Sequence, residues 1–150
     1  MENDEQPQPQ RERMTMFEKA LLALGGIVVL AALYIALDAN KYAATVHVIE
    51  GEGKVGINPT TERLDFGDLS PGASAVRTVT VTNGTAIPIY VFTLRLGGIA
   101  ELIKQEPSAF VLAPRSEKKI EFSVYMPASA PIGSTLDGRV FLFKIPGPWR

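Results

Sequence analysis

Few residues in this chain can do chemistry: there is one histidine, His47, and no cysteine. A lone histidine excludes two-histidine metal ligation, and the missing thiols exclude thiolate nucleophiles, thiolate metal sites and disulfides. His47 stands in V-H-V at the membrane end of the first predicted strand, where a structural, hydrogen-bonded role is expected. No serine lies in G-x-S-x-G, and neither a phosphate loop nor a dinucleotide fingerprint is present. Asp65 and Asp68 flank Gly67 in L-D-F-G-D-L, read as a hairpin turn, but two carboxylates fall short of a calcium loop's oxygen count. Asn83-Gly84-Thr85 is an N-glycosylation sequon; its other reading is a tight Asn-Gly turn chosen for positive φ. The expectation is a protein without catalytic, cofactor or metal residues, which acts by binding.

The elements that would position such a binding surface begin with an anchor. From residue 20 to 37 the chain reads ALLALGGIVVLAALYIAL with no charge. At ~1.5 Å per residue this stretch spans roughly 27 Å, near the hydrocarbon thickness of a bilayer. A buried helix is disfavoured, because the strand-like remainder cannot surround it. A cleaved signal peptide has a shorter core of about 7–15 residues and a small-x-small site, and the two on offer, Leu37-Asp38-Ala39 and Tyr42-Ala43-Ala44, are poor ones. An uncleaved single span over 17–39 is therefore expected, after a disordered cytoplasmic tail over 1–16. Arg11, Arg13 and Lys19 precede the span and Lys41 follows it, so the positive-inside rule puts the remainder outside the cytoplasm. Gly25, Ala32, Ala36 and Ala39, with Ala43 beyond, recur at helical spacing and would let a second helix pack closely.

Beyond residue 40 the period becomes twofold. Ile120, Phe122, Val124 and Met126 alternate with polar neighbours, and Val79 and Val81 alternate with Thr78, Thr80 and Thr82. Residues 87–96 and 139–145 are apolar on both faces and are expected mid-sheet. Shorter strands are expected at 44–50, 54–58, 63–66, 101–105 and 110–112. Turn signals separate them at Ser70-Pro71-Gly72, Asn83-Gly84, Gly97-Gly98 and Ala113-Pro114. The fold class is mainly β: a sandwich over 60–150, with a linker and first strands over 40–59, preceded by one transmembrane helix.

The order LDFGDLSPGASAVRTVTVTNGTAIPIYV, then AFVLAPRSEKKIEFSVYMPASAPIGSTLDGRVFLF, resembles immunoglobulin-like envelope modules of the NEW3 and PapD-like kind. Pro71, Gly72, Val79, Val81, Asn83, Leu112, Pro114, Phe122, Val124, Pro127 and Gly133 carry the resemblance. Arg115 departs from it, since the family has glycine there, which argues against a positive-φ turn. The resemblance implies an immunoglobulin-like β-sandwich and leaves its role open.

A net charge of -1 gives no basis for nucleic-acid binding. The expected partners are membrane lipid and one or more proteins, met through the helix and the sandwich, with Trp149 at the tail as a candidate contact. The expected role is an accessory or structural subunit of a cell-surface assembly. The alternative is a sugar- or surface-layer-binding envelope module, NEW3-like or resembling archaellum stator proteins in its helix-then-sandwich plan.

Overall fold

The computed structural model describes residues 14–53, 55–56 and 63–148. Two compact units divide at Tyr34/Ile35. The tail over 1–13, Trp149 and part of the expected 54–58 strand lie outside the described residues.

Helix α1 spans Met16–Asp38. Thr15 opens it with a capping box: its hydroxyl accepts from the Glu18 amide, and the Glu18 carboxylate accepts from the Thr15 amide. No residue of α1 is buried, unlike the core helix of a soluble protein. Its length and composition suit a signal anchor or a signal sequence. The small-residue stripe is shorter than expected. Gly25, Ala32 and Ala36 lie on α1, but Ala39 follows its last residue and is buried at 8% exposure. Ala43 belongs to a strand.

The strands are β1 (Asn40–Val48), β2 (Val55–Gly56), β3 (Leu64–Leu69), β4 (Ser74–Thr82), β5 (Ile89–Gly97), β6 (Ile103–Lys104), β7 (Ala109–Leu112), β8 (Glu117–Tyr125) and β9 (Thr135–Pro146). They form a large sheet ordered β2-β3-β1-β9-β5-β7 and a small one ordered β4-β8-β6. The domain is thus mainly β with two sheets, and β5 and β9 are interior strands of the larger, as expected. Alternating side chains of both sheets meet in one core. Val46, Val91, Val140 and Leu142 enter from the large sheet, and Val79, Val81, Phe122 and Val124 from the small one.

Several strand ends differ from the sequence reading for identifiable reasons. β5 starts at Ile89, because Pro88 has no amide to donate and the Ile87 carbonyl is taken by Asn83. Residues 99–103 curl instead of extending: the Leu102 and Ile103 amides both donate to the Ile99 carbonyl, which leaves β6 two residues long. Asp65 and Asp68 sit within β3 and not in a hairpin turn. The β1–β3 pairing is parallel and slips between Thr45/Asp65 and His47/Asp68, so β3 carries one extra residue there. Gly67, at φ 71, absorbs this bulge. The bulge shifts the alternation so that Leu64, Phe66 and Leu69 all reach the core. Gly67→Ala forces a side chain into the left-handed region and is expected to cost about 1–2 kcal/mol in denaturant titration of the full chain in detergent.

Candidate interaction surfaces

Asn83, the asparagine of the sequon, is buried at 1% exposure, and the Asn-Gly turn lacks the positive φ expected of it. β4 and β5 belong to different sheets, so residues 83–88 cross between layers. The Asn83 side-chain nitrogen donates to the carbonyls of Ile87 (2.9 Å), Leu112 (3.3 Å) and Ala113 (2.8 Å). Its oxygen accepts from the Thr85 amide and hydroxyl at 3.0 and 2.7 Å. The nitrogen that a glycan would need is thereby fully engaged. Arg115 adopts φ 51 nearby, despite not being glycine, with its amide donating to the Thr85 carbonyl at 3.1 Å.

His47 is the penultimate residue of β1, at the far end of that strand from where the chain enters it. Its Nδ1 lies 2.6 Å from the Thr135 hydroxyl. No group of three histidine, aspartate or glutamate side chains converges as a metal site among the described residues. The Tyr42 phenol is pushed above its ordinary value by burial, with a hydrogen bond to Asn40 acting the other way.

The outer face of the large sheet is the feature the sequence reading missed. The residues of β5 and β9 that do not point into the core pair across the strands as Phe92 with Phe143, Leu94 with Phe141, and Leu96 with Arg139. Their rings form a row: Phe92 and Phe143 stack with centroids 5.0 Å apart, and Phe141 and Phe143 at 6.1 Å. Leu94, Leu96 and Val111 are 43%, 50% and 42% exposed. On β1 the same face continues with Lys41 beside Phe141 and Ala43 beside Arg139, then Thr45 beside Asp137 and His47 beside Thr135. On β3 it ends with Asp65 and Asp68. The face is therefore graded along the strands, apolar and basic at one end and acidic at the other. The signal was legible: both strands are apolar on both faces. A mid-sheet position accounts for neighbours on either side but not for an apolar outer face, which needs a cover.

The small sheet presents a different surface. A groove of about 540 Å³ runs between Thr78 and Thr80 of β4, Lys119 and Glu121 of β8, and Glu106 and Phe110. The Lys118 ammonium lies 4.5 Å from the Phe110 ring centroid. The lining offers hydroxyls, carboxylates and ammonium groups, and no histidine, serine or cysteine stands among it. It can hold a polar ligand by hydrogen bonds but has no nucleophile paired with a base. Comparison with family models, curated proteins and solved structures finds no match to this chain.

Proposed function

We propose that the chain is a non-catalytic, single-pass membrane protein that holds an immunoglobulin-like domain outside the cytoplasm as an accessory or structural subunit of a cell-surface assembly. The observation that carries this reading is the join between helix and sheet. A single residue, Ala39, separates α1 from β1, and β1 lies inside the large sheet between β3 and β9. The link from helix to sheet is thus one residue long and leads into an interior strand. That suits a positioning subunit better than a freely sampling enzyme.

The strand order favours an immunoglobulin-like description. The set β4-β8-β6 corresponds to the B-E-D strands of that fold, and β5-β9-β1 to C-F-G, with β1 taking the seat of the last strand from the N-terminal side. Gly25, Ala32 and Ala36 remain as the face on which a partner helix packs. The second reading, a sugar- or surface-layer-binding module, draws on the polar groove of the small sheet.

Protease added to intact cells is expected to digest the domain while leaving a fragment that ends near Ala39. A fully protected domain overturns the orientation. In mild detergent, a defined set of proteins should co-purify with the chain and be lost from the Ala32→Leu/Ala36→Leu double variant. Unchanged co-purification removes the helix face from the model of assembly. Glycan-array binding that depends on Thr80 and Glu121 would move the function to the second reading.

A further inference from the structure

We infer that the apolar half of the large sheet's outer face docks on the lipid surface beside the anchor, seating Phe92, Leu94, Phe141 and Phe143 at headgroup depth. The inference rests on the membrane-anchored reading and names the occupant of a face that reading leaves uncovered.

Chain continuity fixes which end of the face lies nearest the lipid. The first residue of β1, Asn40, pairs with Leu142 of β9. Phe143 and its partner Phe92 therefore stand level with the point where the chain leaves the strand toward α1. Only Ala39 intervenes before Asp38 ends the helix. At no more than ~3.6 Å per residue, that connection keeps the start of β1 within roughly 7 Å of the helix terminus, with β9 and β5 one and two strand spacings of ~4.8 Å to its side. The headgroup zone on each side of a bilayer is about 5–8 Å deep, so the aromatic rows are within its reach.

The side chains match that environment. Aromatic rings concentrate where hydrocarbon meets headgroups, and basic residues there find lipid phosphates. The apolar rows are bordered by Lys41 and Arg139, whereas Asp137, Asp65 and Asp68 occupy the opposite end of the same face. A domain tilted onto its entry end wets the acids and covers the rings.

A second copy on this face fits less well. Two copies anchored in one bilayer point the same way, and a two-fold axis along the membrane normal keeps every row at its own height. Face-to-face pairing would then bring the basic end of one copy level with the basic end of the other, and the acidic ends likewise. Like charges so placed repel.

The test uses the full chain in vesicles of phosphatidylcholine and phosphatidylglycerol, with or without bromine at a shallow acyl position. Trp149, the sole tryptophan, is first replaced by phenylalanine. Single reporters are then introduced as Tyr34→Trp in the helix, Phe143→Trp and Leu94→Trp on the face, and Thr80→Trp on the small sheet. The expected result is loss of most emission from Tyr34→Trp, Phe143→Trp and Leu94→Trp in brominated vesicles, with Thr80→Trp unchanged. Quenching of Tyr34→Trp alone overturns the docked face while the anchor stands. Quenching of Tyr34→Trp alone together with disulfide-linked dimers of a Leu94→Cys chain assigns the face to a second copy. No quenching of Tyr34→Trp removes the anchor, and the docked face with it.

Discussion

Asn83→Ala is expected to destabilise the two-sheet domain by about 3–5 kcal/mol, a large part of the ~5–15 kcal/mol that holds a domain together. The replaced amide ties three segments at once. Its nitrogen serves the carbonyls of Ile87, Leu112 and Ala113, and its oxygen orders Thr85. Alanine takes a donor from all three. The Ala113 carbonyl keeps the Ser116 hydroxyl and the Thr85 hydroxyl lies 2.8 Å from the Ile87 carbonyl, but the Leu112 contact is buried and water has little room to replace it where the side chain is 1% exposed. Thermal unfolding followed by circular dichroism in detergent should show the midpoint falling by roughly 15 °C or more. Asn83→Asp is expected to be worse at neutral pH, because a carboxylate oxygen would face carbonyl oxygens where an N–H now donates. That carboxyl is held above its unfolded pKa, so the deficit shrinks as pH falls and the protonated group can donate again. An alanine variant as stable as the parent, or a glycan on Asn83 of the folded chain, would refute the latch.

The contrast between Asn83 and the paired strands shows what was legible in the residues. The helix and the alternating β4 and β8 could be read directly, because a charge-free run and a twofold period are local signals. The latch could not, since the carbonyls of Leu112 and Ala113 lie 29 and 30 residues from Asn83. A sequon and a buried amide look identical in a string of letters. The stripe through Ala39 and Ala43 failed because its spacing assumed a helix continuing past Asp38, and the chain turns extended there. Arg115 carries the turn at φ 51 without glycine. Its amide is bonded to Thr85, and the Ser116 hydroxyl donates to the Ala113 carbonyl, so neighbours offset the modest cost of a left-handed residue. The aromatic face was half legible: its residues were recognised as apolar, and only the assigned register showed that they share one outer side.

That register is pinned by a pair of glycines, and Gly138→Ala is expected to cost at least ~4 kcal/mol or abolish folding. Gly138 of β9 lies between Ala44 of β1 and Gly97 of β5. A Cβ on Gly138 would collide with the Leu96 carbonyl oxygen and stand 2.8 Å from a methyl of Ile99, a fully buried side chain that fills this space. A Cβ on Gly97, already at φ 97, would stand 2.6 Å from the Gly138 Cα and 2.7 Å from the Asp137 carbonyl oxygen. Both obstacles include backbone, so neither can rotate away, and β5 and β9 would have to separate or slip. A slip of one residue exchanges the two faces of a strand. It would turn Phe141 and Phe143 toward the core and expose Val140 and Leu142. Gly84→Ala, with open space around its Cβ and no left-handed φ, is the control and should change stability by less than ~0.5 kcal/mol. Denaturant titration of both variants in detergent measures the difference. A well-folded Gly138→Ala chain whose Phe143→Trp reporter is still quenched by lipid would show that something other than this close approach holds the aromatic row outward.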